Sequence, residues 1–457
     1  VREFWAESAW LPSGVARDVL LRSTGGVLTE VLPGTPPTPA AQRLPGLVLP
    51  AAANAHSHAF HRALRGRTHA GEQAGGSFWT WREAMYAAAG ALDPQRYERL
   101  ATAVFAEMVL AGFSSVGEFH YVHHRPDGSP HPRSEGGTNA MAHALRSAAR
   151  SAGIRLTLLD VCYLTGGLTE DGFSAPSRRQ RRFTDASAAA WAERVAGLRA
   201  ELPGDDGFRT GVAVHSVRAV PAEALPVVVA AAAGRPLHVH LSEQPAENSA
   251  CLAHYGRTPT RVLADAGVLG PTTTAVHATH LTDADVDLLG ATRTAICLCP
   301  TTERDLADGL GPGRRLADAG SPLCVGTDQH AVVDPFEEAR GVELHERLAT
   351  HRRGSFTPAE LLTAMTSAGH AAIGWPEAGR IAAGAACDLV AVATGSPRTA
   401  GALPEQVLLA ATAADVHTVV VAGRVLVEGG RHVLGDVGGL LAGAITDLHA
   451  NAREATR

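Results

Sequence analysis

Histidines and carboxylates recur in this sequence at the ends of short apolar runs, in spacings that suit metal chemistry. The first group is His56-Ser57-His58, just past Gly46-Leu-Val-Leu-Pro50. On an extended backbone alternate side chains point the same way, so both imidazoles can aim at one ion. His238-Val-His240-Leu-Ser-Glu243, Val276-His277-Ala-Thr-His280 and Gly326-Thr-Asp328-Gln-His330 end later runs in the same manner. If the fold gathers these ends, His56, His58, either His238 or His240, and Asp328 supply three imidazoles and a carboxylate. That donor set suits a divalent metal with a position left open for water. Zinc is the first expectation, and iron or another divalent ion fits the same ligands. Such an ion brings the pKa of bound water to roughly 7, which provides hydroxide at neutral pH.

The elements that must gather these groups follow a regular rhythm of strand, polar terminus and helix. Leu47–His58, Ser114–Tyr121, Arg155–Tyr163, Phe208–Arg218, Pro236–Glu243, Thr273–His280, Thr294–Thr302 and Pro322–His330 read as strands. Helices fill the intervals, as in Asp93–Gly112, where Leu100, Val104 and Met108 share one face. Further helical stretches are Ala186–Glu201, Ala222–Ala233 and Thr258–Ala266. Eight such units predict an α/β fold, a (β/α)8 TIM-type barrel over residues 48–379, whose active site lies at the C-terminal strand ends. Residues 1–47 and 380–457 predict a small β-sandwich module built from both chain termini. Its strands include Glu3–Leu11, Asp18–Arg22, Gly26–Val31 and a hairpin turning at Ala422-Gly423. A final helix is expected over Leu440–Arg453. Long loops at Thr68–Ser77, Arg125–Gly137 and Thr165–Arg182 are candidate lids.

Composition excludes several function classes. The 457 residues are 45% apolar and 19% charged, an ordinary globular balance. A net charge of −6 leaves no nucleic-acid footprint and no polybasic membrane patch, and no apolar run reaches the ~18–20 residues of a membrane span. Nucleic acid and membrane are therefore not expected partners. All 40 basic residues are arginine, as codon bias in a GC-rich genome produces. Without a lysine amine, Schiff-base chemistry and pyridoxal phosphate anchoring are excluded. A carboxylated lysine bridging two metals is excluded too, so one ion per chain is expected. The six cysteines form no C-x-x-C pair, and Val1 to Leu20 has no basic-then-apolar signal architecture. Both fit a reducing cytoplasm.

With Gly117-Glu-Phe-His-Tyr121, His215-Ser-Val-Arg218, His240-Leu-Ser-Glu-Gln244 and Cys299-Pro-Thr-Thr-Glu303 added, the motifs resemble the amidohydrolase superfamily. More narrowly they resemble its mononuclear deaminase branch, and within it the formimidoylglutamate deiminases of histidine degradation. The resemblance runs from the first module through the barrel into the C-terminal strands. It implies His56, His58, His240 and Asp328 as metal ligands, His240 being the histidine in the family's H-x-x-E spacing to Glu243. It implies Glu243, His277 and Asp328 as the groups that handle protons.

The substrate so implied is small and acidic, N-formimino-L-glutamate, hydrolysed to N-formyl-L-glutamate and ammonia, and the assembly implied is a homodimer. Arg218, beside His215, and Arg82 in Trp79-Thr-Trp-Arg-Glu83 would grip the substrate's carboxylates, as guanidinium groups do bidentately. Tyr121 would donate its hydroxyl, and His61 stands where some family members carry glutamine. A deaminase of a heterocycle such as guanine or an adenosine derivative is the alternative, and a non-catalytic barrel scaffold the remote one. His238 and His280 are expected to be structural, and His120, His123 and His124 show no ligand spacing. Phe78, Trp79 and Trp81 are expected to pack or cap a lid, Arg178–Arg182 to form a solvated loop, and Glu303–Asp308 to meet substrate or a neighbouring subunit.

Overall fold

The computed structural model describes residues 1–68 and 78–454. Apart from Thr68, the first candidate lid lies outside the described residues. At the centre is an eight-stranded parallel sheet whose order follows the sequence: Ala52–Ser57, Phe113–His120, Arg155–Cys162, Phe208–Val214, Leu237–Leu241, Thr273–His277, Ala295–Leu298 and Leu323–Val325. The last strand returns to the first through a parallel bridge between Ser57 and Asp328. Helices cover the outside, so the sheet closes as the expected barrel.

Local chemistry explains where these helices begin and end. The helix Pro94–Ala111 starts where the Asp93 side chain accepts from the Arg96 N–H at 2.8 Å, with Pro94 in the first turn. It stops at Gly112, whose φ of 105° only glycine adopts freely. Leu100, Val104 and Met108 lie buried along one face. Helices Ala188–Glu201, Leu225–Ala232 and Pro259–Asp265 occupy intervals where the sequence predicts them.

The chain ends form a second eight-stranded sheet in the order Arg431–His432, Arg424–Glu428, Val416–Val421, Leu389–Val392, Gln42–Pro50, Arg2–Leu11, Gly14–Thr24 and Val27–Leu32. It curls on itself: Leu28 donates to the Ala385 carbonyl at 2.8 Å, and Cys387 to that of Gly26 at 2.8 Å. A separate apolar core fills the fold of this sandwich, with Phe4, Leu21, Leu28, Val48, Leu389 and Val420 buried in it. The run predicted as one strand, Leu47–His58, serves both sheets. Gln42–Pro50 belongs to the sandwich, Ala51 crosses over, and Ala52–Ser57 opens the barrel. A buried ion pair of Arg155 with Asp388 spans the joint, and the Asp388 carbonyl accepts from the Ala51 N–H at 3.1 Å. The last helix, Val437–Glu454, lies against Pro94–Ala111, where Arg99 meets Asp447 at 2.6 Å.

Several expected strands end earlier than their sequence suggests, among them the eighth, which stops at Val325 rather than His330. Phe208–Val214 stops before His215 and Arg218, and Ala295–Leu298 gives way to a helix at Pro300–Leu306. Proline at position 300 cannot continue the ladder and is instead suited to a helix's first turn. The candidate lid Thr165–Arg182 holds a small hairpin of Gly167–Thr169 with Gly172–Ser174. Its end is not solvated throughout: Arg182 is buried and donates to the carbonyls of Leu92 and His124 at 3.2 and 3.1 Å.

Barrel closure depends on one glycine. A Cβ on Gly326 would stand 2.8 Å from both Cβ and O of His56, and 2.9 Å from its N. Gly326→Ala should therefore cost about 1–3 kcal/mol, as overpacking does, and should displace His56. Urea denaturation would show the first effect and metal binding the second.

Candidate active site

The closed barrel brings the four expected ligands together. His56 lies near the end of the first strand and His58 just past it, His240 projects from the fifth, and Asp328 follows the eighth. His56 Nε2 lies 3.1 Å from His240 Nε2 and 3.3 Å from Asp328 Oδ1, and His58 Nε2 lies 3.2 Å from that same oxygen. Two overlapping donor groups share Asp328: one holds His56, His240 and His277, the other His58 and His61.

These separations suit one ion. A metal–nitrogen bond of 2.0–2.1 Å sets tetrahedral ligands about 3.3 Å apart. The charge states suit it as well. Burial pulls His56 down to about 3 and His240 well below its ordinary value, which leaves neutral imidazoles with lone pairs to give. Burial alone would raise Asp328, but its close contacts with His56 and His58 outweigh it and hold the carboxyl well below the usual carboxylate range. His58 Nδ1 faces the Phe119 carbonyl at 3.1 Å. Donation there places the proton on Nδ1 and frees Nε2 for the site. A buried cluster able to bind a metal thus stands at the barrel mouth.

A layer of polar side chains holds the ligands from below. Asn54 donates to Thr327 Oγ1 at 2.7 Å and accepts from the Thr327 N–H at 3.0 Å. His330 Nδ1 meets Thr327 Oγ1 at 2.9 Å, and its Nε2 meets Ser57 Oγ at 3.1 Å. Ser57, between the two ligand histidines, donates to Glu118 Oε2 at 2.5 Å, and the Ala59 N–H donates to Glu118 Oε1 at 2.7 Å. Burial pushes the Glu118 carboxyl up to about 7. Sequence reading quoted Glu118 only within a motif and gave it no part. Its signal was a lone carboxylate in a strand otherwise buried throughout, Phe113–His120.

The remaining groups line a cavity of about 80 Å³ above the cluster. His277 Nε2 stands 3.8 Å from Glu243 Oε1 and 3.9 Å from Asp328 Oδ2. Burial opposes a charge on His277, yet Glu243, Glu303 and Asp328 outweigh it and hold the imidazole well above its ordinary value. His277 and Asp328 have φ of 69° and 42°, a left-handed backbone that non-glycine residues rarely adopt and that clusters at functional sites. His61, Arg82, Tyr121, His215 and Arg218 all face the same cavity. His61 Nε2 meets the Tyr121 hydroxyl at 2.8 Å, and His215 Nδ1 meets Ser216 Oγ at 3.2 Å. The Arg82 guanidinium lies over the Tyr86 ring, 5.5 Å from its centre. Arg218 reaches Glu243 through Nη2 and Glu247 through Nε, each at 3.4 Å.

Sequence reading missed Tyr163, Tyr86 and Phe183, aromatic walls of this cavity, because they come from separate loops and helices. Trp81 lines it too, while the side chains of Phe78 and Trp79 lie outside the description. The residues expected to be structural are engaged elsewhere. His238 Nε2 meets the Ala372 carbonyl at 3.1 Å, His280 Nε2 that of Asp308 at 2.7 Å, and His123 Nε2 that of Val161 at 2.9 Å. His124 pairs with Asp185 at 3.1 Å. A larger cavity, about 730 Å³, lies at the opposite end of the barrel among strand starts such as Pro236 and Pro322, remote from these groups.

His240→Ala should remove bound metal and with it turnover, since two imidazoles and a carboxylate remain. Metal analysis after dialysis, beside circular dichroism to show an intact fold, checks this.

The amidohydrolase family profile matches residues 44–426. Formimidoylglutamate deiminase of Pseudomonas aeruginosa is 36% identical over 441 residues, covering 94% of this chain and 95% of that one. A 5-methylthioadenosine/S-adenosylhomocysteine deaminase of Nitratidesulfovibrio vulgaris is 27% identical, over 87% of this chain and 83% of the other. The crystal structure of an amidohydrolase from Brucella melitensis superposes with a TM-score of 0.90 at 33% identity, covering 98% of this chain and all (100%) of its own. An adenosine deaminase from Xanthomonas campestris with bound zinc shares the fold at a TM-score of 0.83 and 22% identity, covering 99% of this chain and 98% of its own. The chain belongs to the amidohydrolase family.

Proposed function

We propose that this enzyme hydrolyses N-formimino-L-glutamate to N-formyl-L-glutamate and ammonia, using one zinc ion held by His56, His58, His240 and Asp328. The relative that matches almost end to end carries that activity in its name. The observation that carries the reading is a pair of guanidinium groups, Arg82 and Arg218, in the wall of the cavity that contains His277 and Asp328. A dicarboxylate tail asks for such a pair. The aromatic walls alone would also suit a heterocycle, so the arginines decide between the two readings. Six free, buried cysteines support a reducing cytoplasm as the place of action, and the family likeness supports a homodimer.

A divalent ion in this cluster supplies a hydroxide nucleophile near neutral pH. The residues supply position and protons. Hydrolysis adds oxygen to the amidine carbon and breaks its bond to the terminal nitrogen, so both protons of the water end on the departing ammonia. Asp328 Oδ2, on the cavity side toward His277, takes the first proton. Glu243, whose Oε1 lies 3.8 Å from His277 Nε2, carries protons to the terminal nitrogen, which leaves as neutral ammonia. Transfers of this kind contribute ~10²–10⁴-fold. His277 donates from Nε2 to the oxygen as negative charge gathers there. Tyr121, His61 and His215 fix the chain of the substrate between the guanidinium groups and these proton carriers.

Arg218 has a second part. Its contacts with Glu243 and Glu247 are long for ion pairs, so a substrate carboxylate can compete for the guanidinium and loosen its hold on Glu243. Binding of the tail would then release Glu243 for proton transfer.

Ammonia release should be fast with N-formimino-L-glutamate, slower with N-formimino-L-aspartate, and absent with guanine and adenosine, with zinc stoichiometric with the chain. Deamination of a heterocycle alone by the zinc-loaded enzyme would sink the arginine argument. Arg218→Met should raise KM by about ten- to hundredfold, as the loss of a charged hydrogen bond predicts, and leave metal content intact. Unchanged steady-state kinetics would remove Arg218 from the substrate site.

A further inference from the structure

The far side of His277 carries a contact that the proposed chemistry has not used. Its Nδ1 points away from the cavity and lies 3.5 Å from Glu303 Oε1. Glu303 is buried, and the same oxygen accepts from the Cys299 N–H at 2.8 Å. The carboxylate has little freedom to move. Glu303 sits in the first turn of the helix Pro300–Leu306, and its own N–H donates to the Cys299 carbonyl at 2.9 Å. That turn is pinned in its turn by buried Glu338, which accepts from the Thr301 N–H at 3.0 Å and from the Thr301 hydroxyl. The Cys299 thiol stands close by, but burial pushes it up to about 12, so it stays neutral. Glu303 is the carboxylate on the Nδ1 side.

A neutral imidazole donates from one nitrogen and accepts at the other, and the partner of one nitrogen decides which. We propose that Glu303 is a positioning residue of this site: it holds a proton on His277 Nδ1 and fixes the ring so that Nε2 faces the reacting groups. The arrangement makes His277 and Glu303 a dyad, in which Nε2 gains and loses the mobile proton while Nδ1 keeps its own. Its catalytic side rests on the hydrolytic reading above. The competing explanation is a helix cap, since a glutamate in the first turn can reach back to an N–H ahead of the helix.

Glu303→Gln, Glu303→Ala and His277→Ala separate the two. A glutamine oxygen can still accept from both Cys299 N–H and His277 Nδ1–H, whereas alanine accepts from neither. Glu303→Gln should keep kcat within about tenfold of wild type, and Glu303→Ala should lower it by a further ten- to hundredfold, in the ~10–100-fold range known for partners of site histidines. KM and bound metal should not move. In ¹⁵N-histidine-labelled protein, a protected imidazole Nδ1–H resonance should be present in wild type and Glu303→Gln and missing from Glu303→Ala and His277→Ala alike. A wild-type kcat in Glu303→Ala overturns the proposal. So does a resonance that persists there, or a loss of kcat that only tracks lost metal and a lowered Tm. The resonance pattern is read without substrate, so it stands or falls separately from the identity of the substrate.

Discussion

The structure depends on the closure of the barrel between its first and eighth strands. Closure is made by backbone hydrogen bonds of the residues that carry the candidate ligands: Asp328 N–H to the His56 carbonyl at 3.0 Å, and His58 N–H to the Asp328 carbonyl at 3.0 Å. Forming the barrel and forming the cluster are one event. The left-handed turn at Asp328 is tolerable because these bonds over-determine it. Asn54, Thr327, His330, Ser57 and Glu118 then satisfy polar groups that would otherwise be stranded beneath the site.

That support layer also explains how the site can hold several buried polar groups side by side. Burial keeps His56 and His240 neutral, while the neighbouring imidazoles hold the Asp328 carboxyl well below the usual carboxylate range. The exception is His277, placed where three carboxylates converge. A cluster of neutral lone pairs therefore sits beside an imidazole that readily takes a proton. Such a separation of roles within a few ångströms is what acid–base chemistry requires.

Much of this was legible in the sequence. His56, His58, His240, His277 and Asp328 stand at strand ends in spacings that survive without knowledge of the fold, and the strand–helix rhythm dictates that those ends meet. Less legible were contacts set by turns. Glu303 lies in a helix that the sequence disguised as the end of a strand, because Cys-Leu-Cys runs straight into Pro300. Glu118 is a carboxylate inside a buried strand, and only its neighbours across the barrel give it a purpose. Arg182 looked solvated within an arginine-rich run, although its buried guanidinium donates to the carbonyls of Ala89, Leu92 and His124. Propensity describes a segment, whereas these residues are explained by partners that lie mostly tens of positions away.

The crossing at Ala51 has a consequence for how this protein can vary. Five residues lie between the end of a sandwich strand at Pro50 and His56, with no linker among them. The strand Gln42–Pro50 is hydrogen-bonded on one side to Arg2–Leu11 and on the other to Leu389–Val392. Trimming the C-terminal strands would bare a sheet edge, with its unpaired N–H and carbonyl groups, just upstream of the candidate metal-binding cluster. The terminal module is thus not a detachable accessory, and recombination between relatives would have to exchange both chain ends together.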